Sequence, residues 1–158
     1  MSDPLPMLAV RRVEAAILKE IYDEIAKRHG KAEAEKILAG SVTRSAIAQG
    51  MSIRGDGDEL PDLEDFADLI PMWEAGGALE VEMLHRSPER LDFNIRRCKF
   101  SEMYAEMGLG DIGHLLSCNR DGALCMGYNP DIELNRSQTI MQGASYCDFR
   151  FTMKSKMD

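Results

Sequence analysis

The hydrophobic period of this chain changes at Gly76-Gly77, and that change limits what it can fold into. Before it, Val13, Ile17, Ile21 and Ile25 recur four residues apart with charged residues between them. This is the pattern of one helix face, and Gly30 after His29 supplies a stop. After it, Leu79, Val81 and Met83 alternate with polar residues, as do Leu91, Phe93 and Ile95. Alternation places each set on one face of a strand, and Ser87-Pro-Glu-Arg90 has the composition of the turn between them. A second strand pair follows, with Ile132, Leu134 and Arg136 in one strand and Cys147, Phe149 and Phe151 in the other, linked through Gln142-Gly-Ala-Ser145. Between the hairpins, helices are expected at Phe100–Met107 and Asp111–Cys118, then a short segment to Gly127. The sequence therefore predicts an α+β fold: N-terminal helices packed on a small antiparallel sheet built from two hairpins separated by helices.

Other signals fill in this outline. A second helix is expected from Lys31 to about Gln49, closed by Gly50. A loop follows over Arg54–Pro61. Asp62 then caps a short helix bearing Leu63, Phe66, Ala67 and Ile70, which Pro71 ends or kinks. At 158 residues the chain fits one domain, 1–158, mainly helical over 1–76 and with the sheet and its inserted helices over 78–153. A domain of this size buries roughly two-thirds of its unfolded surface and needs no staples.

The net charge of −8 argues against a phosphate-neutralising surface, so no nucleic-acid partner is expected. No stretch approaches the roughly 18 apolar residues of a membrane span, and the first residues lack a basic segment followed by an apolar run. A cytoplasmic location is expected, where Cys98, Cys118, Cys125 and Cys147 stay reduced. None of them forms a C-x-x-C pair.

Polar and reactive side chains crowd between Glu106 and Asp121. If the second part of that stretch is helical, Asp111, His114, Cys118 and Asp121 fall at i, i+3, i+7 and i+10, on one face. A thiol one turn from an imidazole is a candidate nucleophile, because imidazolium favours the thiolate. Blander roles compete with this. A free cysteine is also a small core hydrophobe, and Asp111 suits an N-cap. The eleven methionines suit core gaps and a subunit interface, so a homo-oligomer is expected. Cys147 shares a face with Phe149 and Phe151, which points it at the core or an apolar pocket. Arg136 matches the parity of Ile132 and Leu134, which puts a guanidinium on an apolar face. It must then bind an anionic ligand such as a carboxylate, or pair with Asp121, Glu106 or another acid.

As an ordered set, Cys98, Glu106, Gly113, Cys118-Asn-Arg-Asp121, Asn129-Pro130, Arg136, Thr139 and Gly143-Ala-Ser-Tyr-Cys147-Asp-Phe149-Arg-Phe151 resembles the L-2-amino-thiazoline-4-carboxylic acid hydrolase family. The pattern covers about Leu79 to Phe151. The resemblance implies a cofactor-independent hydrolase that opens a small nitrogen- and sulfur-containing ring bearing a carboxylate, giving a carbamoyl amino acid such as N-carbamoyl-cysteine. Under it, Cys118 attacks or Asp121 activates water, and His114, Asp121 or Glu106 moves protons. Arg136 clamps the carboxylate, Asn129 or Thr139 bonds ring nitrogens or the tetrahedral centre, and Cys147 lines the substrate pocket. The Gly-x-x-x-Cys-x-Phe ending is also similar to vinyl-reductase-type small-molecule-binding domains, some of them zinc-holding sensors. That similarity implies the alternative: a non-catalytic sensor or binding module, with zinc held by Cys98, Cys118 and Cys147 and by Asp121 or Glu106.

Overall fold

The structure, a computed structural model, describes residues 3–155. Two long helices, α1 (Met7–His29) and α2 (Lys31–Arg54), meet at Gly30, whose φ of 92° suits a residue without Cβ. Short helices α3 (Leu63–Ala67) and α4 (Ile70–Glu74) lead into a hairpin of β1 (Leu79–Arg86) and β2 (Arg90–Cys98). Then come α5 (Lys99–Glu106), a π-turn over His114–Cys118 that runs directly into α6 (Asn119–Tyr128), and strands β3 (Ile132–Asn135) and β4 (Cys147–Met153). The strand order is β1-β2-β4-β3, antiparallel throughout. This is the α+β architecture that the change of period predicts.

The sheet is one-sided. On β2 and β4, Leu91, Phe93 and Ile95 stand opposite Phe151, Phe149 and Cys147. The Phe93 and Phe149 rings stack at 4.9 Å, and Phe66 of α3 meets Phe151 at 5.1 Å. On the other face Arg150 donates to Asn94 Oδ1 at 3.0 Å and Arg90 to Asp92 Oδ2 at 2.8 Å, so polar residues cover it. Asp62 caps α3 as expected, accepting from the backbone of Glu64 and Asp65, while Asp65 accepts from the Asp62 N–H. Such a cap is worth about 1 kcal/mol.

Several expectations change. The stripe Val13, Ile17 and Ile21 faces solvent, at 65%, 63% and 49% exposure. The inward face of α1 is instead Leu8, Arg11, Ala15, Leu18 and Tyr22, with Arg11 and Ala15 fully buried. Gly50 does not end α2, which continues to Arg54. Pro71 sits in the first turn of α4 and starts that helix instead of ending the previous one. The segment before Gly127 is the regular helix α6. The β3–β4 link is longer than four residues: β3 stops at Asn135, and a 3₁₀ turn at Ile140–Gln142 lies within the connection.

Candidate active site

Helix α6 is held unusually close to α2, and glycine makes this possible. A Cβ on Gly127 would lie 2.0 Å from the Ile47 carbonyl oxygen, and one on Gly50 would lie 2.1 Å from that of Leu124. Only backbone without side chains can cross at that range. The start of α6 is pinned as well, since Asn119 Nδ2 donates to Thr43 Oγ1 at 3.1 Å and to the Ala39 carbonyl at 3.3 Å. The crossing fixes what α6 presents to the sheet. Gln49, beside Gly50, accepts from Arg120 Nη2 at 2.8 Å.

Between α6, the N-terminal part of α1, α4 and the apolar sheet face lies a cavity of about 120 Å³. One water needs roughly 10–15 Å³ on this measure, so the space holds several waters or a small molecule in their place. Its walls are mostly apolar, with Phe66, Trp73, Phe93 and Phe149 among them. Into it project Arg11, Ser117, Cys118, Arg120, Asp121 and Arg136, with Cys98 and Cys147 in the lining. A few polar groups converging in an apolar hollow is the usual build of a small-molecule site.

Asp121 is the carboxylate of this cavity. Arg136 Nη1 donates to its Oδ2 at 2.6 Å, and Arg136 Nη2 donates to the Cys118 carbonyl at 3.1 Å. The same guanidinium lies over the Phe149 ring at 5.0 Å. Asp121 is enclosed by protein, yet 37% of its side-chain surface is open, because what it faces is the cavity. Enclosure pushes its carboxyl above the usual aspartate range, a shift that the charge and hydrogen bond of Arg136 oppose without cancelling. A carboxyl whose protonated form is favoured in this way is a candidate both to take and to return a proton.

The thiols are in the opposite condition. Burial pushes Cys98 up to about 11, and Cys118 and Cys125 up to about 12, and the neighbouring Asp121 charge adds to the shift at Cys118. Burial also raises Cys147, whose Sγ accepts from the Ile140 N–H at 3.2 Å. Cys98, Cys118 and Cys125 are expected to react with iodoacetamide at pH 7.5 at least about a hundredfold more slowly than a small free thiol, and Cys147 also more slowly, since only thiolate attacks. Peptide mapping after a timed pulse checks this. Fast modification of Cys118 in the folded protein would show a thiolate that this environment does not support.

Of the residues singled out in the sequence, Cys98, Cys118, Asp121, Arg136 and Cys147 line this one cavity. His114, Glu106, Asn129 and Thr139 do not. The single face proposed for Asp111, His114, Cys118 and Asp121 is broken by the π-turn, whose i→i+5 bonding departs from the α-helical period between His114 and Asp121. Glu106, at the end of α5, is exposed and approaches Arg12 at 3.9 Å. Asn129 is buried in structural work, donating to the Pro61 carbonyl at 2.8 Å and accepting from the Asp131 N–H at 2.9 Å. Thr139 caps the 3₁₀ turn by accepting from the Gln142 N–H. Arg136 meets the ion-pair reading of its parity, with Asp121 as partner. Among the described residues, no group of three or more His, Cys, Asp or Glu is disposed to hold a metal, so the three thiolates gain no geometric support as a zinc site.

Two charged lining residues escaped the sequence reading, Arg11 and Arg120. Arg120 stands inside the Cys-Asn-Arg-Asp run. Arg11 had a signal: Leu8, Arg11, Ala15, Leu18 and Tyr22 follow a three-four spacing, an apolar stripe with one arginine in it.

An apolar pocket with one carboxylate and several cations, on an α+β scaffold, has the build usual for a small-molecule site. The family model for L-2-amino-thiazoline-4-carboxylic acid hydrolase matches residues 10–151, and the chain belongs to that family. Its name is that of a hydrolase. A comparison with curated proteins gave no match. Among the described residues no helix is long and apolar enough to cross a membrane.

Proposed function

We propose that the protein hydrolyses a small cyclic amidine of the 2-amino-thiazoline-4-carboxylate type to a carbamoyl amino acid, with Asp121 as its general base and acid. The observation that carries this reading is the Asp121 carboxylate, open to an apolar cavity and oriented by Arg136 at 2.6 Å. In the reaction the water oxygen bonds to the ring carbon between nitrogen and sulfur. Asp121 takes the water proton and passes it to the ring nitrogen. The carbon–sulfur bond then breaks as the added hydroxyl becomes the carbamoyl carbonyl, and its proton travels through the same carboxyl to the departing sulfur. Arg136 keeps one carboxylate oxygen fixed, which leaves the other for this exchange. The apolar walls exclude bulk water and strengthen each of these interactions.

Cys118 is the other nucleophile that the family resemblance offers, and a thiol pushed to about 12 is poorly suited to it. The test separates the two. Cys118→Ser is expected to retain kcat within about tenfold, which a nucleophilic Cys118 would not allow because serine without a paired base is a weak nucleophile, and mass spectrometry of enzyme quenched during turnover is expected to show no covalent adduct. A Cys118 adduct that forms and decays at the turnover rate would replace Asp121-activated water with covalent catalysis.

A further inference from the structure

We propose that Arg120, backed by Arg11, is the anion receptor of the cavity and binds the substrate carboxylate, the role that the resemblance gave to Arg136. This rests on reading the cavity as the substrate site. Arg136 is already committed: its Nη1 holds Asp121, its Nη2 holds the Cys118 carbonyl, and its face lies on Phe149. Arg120 is in the contrary state. It is 8% exposed and lines the cavity, and among the described residues its Nη2 meets the neutral Gln49, its Nε finds no acceptor, and no carboxylate lies within ion-pair distance.

A buried guanidinium without a counter-charge is expensive unless something else supplies one. Arg11, 6% exposed on α1, lines the same hollow and is close enough for its charge to act on Arg120. Glu14 offsets part of that charge through its own contact with Arg11 at 2.9 Å. The cavity thus holds three guanidiniums against the single carboxylate of Asp121, and the excess sits at Arg120. A planar carboxylate is the anion whose shape fits a guanidinium fork. Arg120 and Asp121 both line the cavity, so a ring held there can offer its carboxylate to one and its reacting carbon to the other.

The experiment uses thiophene-2-carboxylate and its neutral counterpart thiophene-2-carboxamide, neither of which has a cyclic amidine to open. Binding is followed by the fluorescence of Trp73, the single tryptophan, which lines the cavity. The wild-type protein is expected to prefer the carboxylate by about tenfold or more. Arg120→Met is expected to lose that preference and, without ligand, to melt no lower than wild type, because an unpaired buried charge has been removed. An arginine present only for structure would lower the melting temperature when replaced. Arg120→Lys, which keeps the charge without the fork, is expected to weaken carboxylate binding by about tenfold and decides the matter if the methionine variant does not fold. Equal binding of the two probes by wild type, or an unchanged preference in the variants, overturns the proposal. No readout depends on turnover, so a protein that binds the carboxylate through Arg120 but opens no thiazoline would refute the hydrolytic reading alone.

Discussion

Asp121→Asn is expected to lower kcat/KM for 2-amino-thiazoline-4-carboxylate by about 10²–10⁴-fold, the usual contribution of a positioned acid–base group. The amide still accepts a hydrogen bond from Arg136 but no longer takes a proton from water. The substitution also leaves a charge unpaired at a guanidinium whose side chain is only 16% exposed, so a loss of stability accompanies it. Circular dichroism and a melting curve therefore belong with the kinetics. Asp121→Glu keeps the charge and serves as the second variant, with partial activity expected. The pH profile adds an independent sign. Below its own pKa Asp121 is protonated and cannot take a proton from water, so activity falls on the acid side. Because enclosure raises that pKa, the fall begins above the ordinary aspartate value of about 3.9. The limb is expected to vanish in Asp121→Asn. Full activity in the folded Asn variant would remove Asp121 from the mechanism.

Gly127→Ala is expected to destabilise the protein by about 3 kcal/mol or more, at the upper end of overpacking effects. The added methyl would meet the Ile47 carbonyl oxygen at 2.0 Å and the Met51 nitrogen at 3.0 Å, both backbone, so no side-chain rotation relieves the clash. The helices must separate, and α6 carries Arg120 and Asp121 with it. Gly122 on the same helix is the control, because a Cβ there meets nothing within 4 Å. Gly122→Ala is expected to stabilise by about 0.5–1 kcal/mol through helix propensity. Opposite signs from the same substitution, five residues apart in one helix, would mark close crossing as the cause. Urea unfolding of both variants measures it. Destabilisation of equal size at both sites would return Gly127 to an ordinary helix position.

Much of the scaffold is legible in the residues because periodicity is a local property. The alternation of Leu91, Phe93 and Ile95 and of Cys147, Phe149 and Phe151 marks two strands and the face they bury, and those faces are the ones in contact. Periodicity says less about what an element packs against. Helix α1 carries two stripes, and the more apolar one, Val13, Ile17 and Ile21, is the exposed one. The stripe with an arginine turns inward, where Arg11 lines the cavity and the other side chains join the core. Gly50 reads as a stop in sequence, since its partner at the crossing, Gly127, is far along the chain and becomes meaningful only once α2 and α6 are known to touch. The π-turn at His114–Cys118 leaves no mark on side-chain spacing, so an α-helical projection aligned His114 with Asp121 and joined groups that the backbone separates. Cys118, Asp121 and Arg136 are legible in the sequence, as is Asp121 among the acids that could pair with Arg136. Their meeting in one cavity, and the part that Arg11 and Arg120 play in its charge, depended on tertiary packing.

The most direct test of the central claim is to incubate the purified protein with L-2-amino-thiazoline-4-carboxylate and follow new thiol groups and N-carbamoyl-cysteine together. Saturable release of one thiol and one carbamoyl product per substrate consumed, lost in the folded Asp121→Asn variant, is the expected result. Release no faster than in protein-free buffer, with the substrate shown to bind, would contradict the assignment of this cavity to thiazoline hydrolysis.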